Sequence, residues 1–76
     1  MRIKRFIMGN LPLSQERVSI DELANRAFLD LSIVDPSSAT LFEVFGMIKA
    51  LHEEQSLFIF SDGTVAATTK GLIEYE

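Results

Sequence analysis

One histidine, His52, stands beside Glu53 and Glu54 in a 76-residue chain that has no cysteine. An imidazole and two carboxylates are metal-ligand types, and a histidine beside a carboxylate is also half of a general acid–base pair. The spacing works against both uses. Consecutive residues on a helix point in different directions, so the three cannot converge on one ion without help from a second chain. A histidine near a helix C-terminus is instead read as a charge partner for the helix dipole. The missing cysteines exclude disulfides and zinc–thiolate sites together. With one histidine and no nucleophile-elbow context, the serines are not read as a Ser-His-Asp triad. Thr68-Thr69-Lys70-Gly71 has residue types found in a phosphate loop, yet the Gly-x-x-x-x-Gly-Lys-Ser/Thr order is absent and the segment follows a hairpin. Lys70 is therefore read as a solvated strand end. The expectation is a protein without catalytic residues, metal site or cofactor, and not an enzyme.

Charge is placed unevenly. Arg2, Lys4 and Arg5 hold three of the seven basic residues, and residues 6 to 76 carry four basic against eleven acidic side chains. Such a body repels nucleic acid, whose binding depends on neutralising phosphates. Three exposed charges on the arm are few and screened, so the arm is expected to pack near its own acidic body or that of a neighbouring subunit. The apolar stretch Phe6-Ile7-Met8 ends at Gly9, too short for a signal-peptide core, and no run approaches the ~18 residues of a membrane span. A cytoplasmic location without membrane association is the expectation.

These residues must be positioned by one small domain, read as α+β over residues 1–76. Residues 1–17 form an N-terminal arm and loop, with RIKRFIM as a short strand or irregular arm and turn chemistry at Gly9, Asn10 and Pro12. Residues 18–71 form a helix-helix-hairpin core, and residues 72–76 a tail or edge strand. Ser19-Ile20-Asp21-Glu22 reads as a capping box that opens a helix with Ile20, Leu23, Ala24, Ala27, Phe28 and Leu31 along one stripe. Glu22, Arg26 and Asp30 recur every four residues on its polar side, as surface ion pairs. Leu31 to Val34 either extend this helix or leave it, and Asp35-Pro36 ends it. A second helix is expected from Pro36 or from Ser38 to Thr40, through the capping box Thr40-Leu41-Phe42-Glu43, to about Glu54. Leu41, Val44, Phe45, Ile48 and Leu51 form its core stripe, while Phe42 and Met47 widen the apolar surface beyond one face. Gly46 in its middle costs about 1 kcal/mol relative to alanine, which calls for close approach of another backbone.

Leu57 to Phe60 and Val65 to Thr69, joined through Asp62-Gly63, read as a hairpin with a two-residue turn. That register pairs Phe60 with Val65 and Phe58 with Ala67, leaving Leu57 and Ile59 together on a face in need of cover. The order of capped helix, longer helix and hairpin over residues 18–71 resembles a winged helix-turn-helix domain. The resemblance implies a recognition helix ending near Glu54, a wing at Ser61-Asp62-Gly63-Thr64 and a DNA-binding transcriptional regulator, with nucleic-acid contacts from Arg2, Lys4, Arg5 and Lys70. The chemistry of the second helix favours another reading. It offers Glu43, Lys49, Glu53 and Glu54 where a reader of DNA uses Arg, Lys, Asn or Gln. Hydrophobic residues make up 47% of a chain too short to bury them easily. The expected function is a protein-interaction or regulatory module acting through homo-oligomerisation or a protein partner, with the interface at Phe42, Met47, Leu57 and Ile59.

Overall fold

The computed structural model describes residues 2–35 and 40–75, as four helices and three strands. The chain runs α1 (Arg2–Gly9), β1 (Val18–Ser19), α2 (Ile20–Val34), α3 (Leu41–Glu53), β2 (Leu57–Ile59), β3 (Thr64–Ala67) and α4 (Thr69–Glu74). The strands form one antiparallel sheet in the order β1-β3-β2. Helices α1, α2 and α3 pack on one another, with α2 and α3 also meeting the sheet, and enclose the core, which is built from Ile7, Leu23, Ala27, Val44, Ile48 and Leu51 with Leu57 and Val65 of the sheet. This α+β layout, helices followed by a hairpin with a short strand between the first two, is compatible with a winged-helix-like arrangement.

Two terminal segments differ from expectation. Residues 2–9, read as a strand or arm, form a helix. Ile3, Phe6 and Ile7 stand at helical spacing, but eight residues show barely two turns, too few for the period to declare itself. Ile7 and Met8 enter the core, and the Asn10 side-chain amide closes the helix by donating to the Phe6 carbonyl at 2.9 Å. Residues 69–74, read as strand end and tail, form α4, whose first turn is capped where the Thr68 hydroxyl accepts from the Gly71 amide at 3.0 Å. Two helices thus become four.

The capping boxes divide. Thr40 caps α3 as expected, accepting from the Glu43 amide at 3.2 Å. Ser19 makes no side-chain cap, because its backbone is extended in β1 opposite Thr64 while Ile20 donates to the Gly63 carbonyl at 3.0 Å. Tertiary pairing there replaces the local cap. Leu31 to Val34 continue α2, and the Asp35 amide donates back to Leu31. The proposed helix starts at Pro36 and Ser38 lie outside the described residues.

The hairpin register is shifted by one residue from the sequence reading. Ile59 pairs with Val65, Phe58 with Ala66 and Leu57 with Ala67. The Phe60 amide donates to Thr64 at 2.8 Å, so the loop holds three residues, Ser61-Asp62-Gly63, with Gly63 at φ +84. This is the arrangement in which a left-handed glycine closes the loop as a bulge. Asp62 stabilises it by accepting from the Thr64 amide at 3.1 Å and the Thr64 hydroxyl at 2.6 Å. A one-residue shift decides which residues share a face. Leu57 and Ile59 turn toward the helices with Val65 and Ala67, and the core covers them.

Candidate interaction surface

Five of the basic or apolar residues singled out in the sequence are occupied within the fold. Lys4, from α1, places its ammonium 2.9 Å from Glu54 Oε2 in the turn after α3. Lys70 donates to the backbone carbonyl of Glu54 and lies 3.9 Å from Glu74. Leu57 is 1% exposed, and Ile59 packs against the core. Met47 is likewise partly buried against it. Arg5 is exposed, and the side chain of Arg2 lies outside the described residues. Phe42 alone of the expected interface set stands clear, at 85% exposure.

Glu54 organises the end of the chain. Its Oε1 accepts from the Tyr75 hydroxyl at 2.7 Å and the Ser56 hydroxyl at 3.0 Å, opposite the Lys4 contact. The Lys4 ammonium first, then the Tyr75 hydroxyl and, after a smaller opposing effect of burial, Ser56, hold the Glu54 carboxyl at about 2. Burial and then the Glu54 carboxylate push the Tyr75 phenol up to about 12. The backbone below this cluster is just as constrained. The Gln55 and Ser56 amides donate to His52 and Leu51, while Gln55 takes φ +68, a left-handed helix end with glutamine in the place usually given to glycine. Gly71 lies against that turn so closely that a Cβ would stand 1.8 Å from the Ser56 carbonyl oxygen. The turn, α1 and α4 are therefore tied into one junction.

His52 is engaged by the second strand of the sheet. Its Nδ1 accepts from the Ile59 amide at 3.1 Å, and its ring meets Phe58 edge-on with centroids 5.2 Å apart. Phe58 in turn meets Phe60 at 4.8 Å, and the Arg17 guanidinium lies 3.6 Å from the Phe60 ring centre while pairing with Asp62 at 3.6 Å. The outer sheet face, left bare by the helices, is thus partly covered by its own aromatic row. Among the described residues no group of three or more His, Asp or Glu is placed to hold a metal ion. No helix among them is long and apolar enough to cross a membrane.

Beside Leu13, Phe58 and Ile73, four large apolar side chains stand exposed on the last turns of α2 and the first turn of α3. Leu29 and Ile33, one turn apart on α2, are 61% and 82% exposed, and Val34 follows them. Phe42 occupies the first turn of α3, with Gly46 one turn further along the same exposed face. Beyond its chain neighbours and its own helix backbone, no heavy atom comes within 4 Å of where a Gly46 Cβ would be, so the close backbone approach expected there is not made among the described residues. Sequence reading missed Leu29 and Ile33 because Leu31 to Val34 could leave the helix. Once α2 runs through Val34, the spacing from Leu29 to Ile33 puts both on its outer side. Arg26 pairs with Glu22 as expected, whereas Asp30 accepts from Asn10 at 2.9 Å. No protein-family model matches the chain, and neither curated proteins nor solved structures give a significant match.

Proposed function

We propose that the chain is a non-enzymatic protein-interaction module that acts by self-association, or through a protein partner, at the corner formed by Leu29, Ile33, Val34 and Phe42. The exposure of Phe42 and Ile33, 85% and 82%, carries this reading. Covering one large apolar side chain is worth about 1.5–3 kcal/mol. Two copies that cover each other's Leu29, Ile33 and Phe42 gain on the order of 10–15 kcal/mol before the cost of association, itself about 4–15 kcal/mol. Those magnitudes describe a weak, concentration-dependent complex. Met47, Leu57 and Ile59 then support the interface from within the core and do not touch the partner.

Light scattering behind a sizing column, from micromolar to near-millimolar protein, tests the proposal. A mass that rises with concentration is expected. A stable monomer throughout, with no partner recovered in a pull-down, overturns it.

The winged-helix-like layout favours a second reading, a DNA-binding transcriptional regulator. Its contacts would come from Arg2, Lys4, Arg5 and Lys70, of which Lys4 and Lys70 already engage Glu54. On α3 Glu43 and Glu53 flank Lys49, and at the hairpin tip Asp62 offsets Arg17. This reading requires duplex binding that weakens steeply with salt, and the absence of a gel shift at low salt removes it.

A further inference from the structure

We infer that His52 is a pH-sensitive guard of the open edge of the sheet. β2 is an outer strand in the order β1-β3-β2. The Phe60 amide donates to Thr64 and the Thr68 amide to Ser56, so alternation along the ladder turns residues 56, 58 and 60 toward β3. Leu57 and Ile59 then aim their backbone groups off the open side. An unpaired amide on such an edge is a template for another strand. Here the Ile59 amide is occupied, because it donates to His52 Nδ1 at 3.1 Å. The ring is held in place by its edge-on contact with Phe58, at 5.2 Å and 72°.

Only an imidazole without a proton on Nδ1 can accept this hydrogen bond. Protonation turns the acceptor into a second donor facing the Ile59 N–H, which removes the ring from the edge and uncovers the amide. The charged groups lining the two shallow grooves beside His52 are Lys49 and Glu53 from α3 and Lys70 from α4. β2 and the hairpin residues there, Leu57 to Ser61, bring none, and the Glu54 carboxylate in the turn is engaged by Lys4, Tyr75 and Ser56. The edge is closed while His52 is neutral and opens on acidification, offering a free donor for strand pairing. This device lies on a different element pair from the α2–α3 corner and stands or falls separately from the association reading.

Amide hydrogen exchange followed by NMR tests it, with the protection of Ile59 read relative to Phe60, whose amide is bonded inside the hairpin and reports general opening. In the wild type the Ile59 protection is expected to fall roughly tenfold relative to Phe60 between an alkaline and an acidic sample, as one net hydrogen bond is lost. His52→Asn places a carbonyl oxygen where Nδ1 stands and does not titrate, so it keeps the protection at both pH values. His52→Phe keeps an aromatic ring against Phe58 without an acceptor and leaves Ile59 unprotected at both. A wild-type ratio that does not move with pH, or full Ile59 protection in His52→Phe, overturns the inference.

Discussion

Two helical glycines sit in opposite surroundings. A Cβ on Gly71 would collide with the Ser56 carbonyl oxygen at 1.8 Å, while a Cβ on Gly46 would meet nothing within 4 Å. Their neighbourhoods differ in the same sense. Around Gly71 the polar groups find partners inside the chain, through Lys4, Glu54, Ser56, Thr68 and Tyr75. Around Gly46 the helix face is open and carries an exposed phenyl ring one turn away, at Phe42. Each glycine costs its helix about 1 kcal/mol. At the C-terminal junction that cost is offset by close packing of α4 on the turn after α3. On the α3 face no contact from elsewhere among the described residues offsets it, and the proposed interface rests on that difference.

Substitution at Gly71 is expected to have the largest effect. Gly71→Ala must displace α4 from Ser56, because the obstructing atoms are backbone, and its cost is expected at about 3 kcal/mol or more in urea denaturation. A loss below about 1 kcal/mol would show that α4 is loosely docked and break the contrast between the two regions.

The ionic part of the junction comes next. Glu54 is depressed in the folded protein to about 2 from an ordinary value of 4.5. A depressed carboxyl contributes stability that is fully present above its unfolded value and is lost as pH falls through the folded one. Stability is therefore expected to decline from about pH 4.5 toward pH 2, and Glu54→Gln to flatten that limb with a loss near neutral pH of about 1–2 kcal/mol, solvent screening included. Tyr75 acts on the opposite side. Raised from 10.0 to about 12, it contributes stability that is present below pH 10 and is lost as pH rises toward 12. Tyr75→Phe should remove the alkaline limb. Denaturation midpoints across pH, in wild type and both variants, check the two signs.

The smallest expected effect has the opposite direction. Gly46→Ala meets no obstruction and gains helix propensity, so the monomer is expected to be more stable by about 0.5–1 kcal/mol. A destabilisation would mean that the α3 face is already packed against something, and a second copy is the first candidate.

The helices and the hairpin of residues 18–71 were legible because their signals are local. The stripe from Ile20 to Leu31, the Thr40 cap and the Asp62-Gly63 turn each lie within a dozen residues. What escaped depends on distant groups or on short windows. Residues 2–9 span too few turns to show a period, and Ser19 gave up its cap for a pairing with Thr64, 45 positions away. The hairpin residues indicate a turn but not whether it holds two residues or three; the Asp62–Thr64 hydrogen bonds accompany the longer loop. That choice sets which β3 residues lie beside Leu57 and Ile59, while the helices, through tertiary packing, cover the face those two share. Lys4 and Lys70 could not be separated from phosphate contacts by sequence alone, since Glu54 reaches them only after the chain folds.

Sedimentation equilibrium of the wild type beside an Ile33→Ser/Phe42→Ser variant tests most directly whether the α2–α3 corner serves association while the fold does without it. Self-association that the variant abolishes, with its unfolding free energy within about 0.5 kcal/mol of the wild type, is the expected result. Equal monomer masses for both at near-millimolar concentration, or a variant that no longer folds, would contradict it.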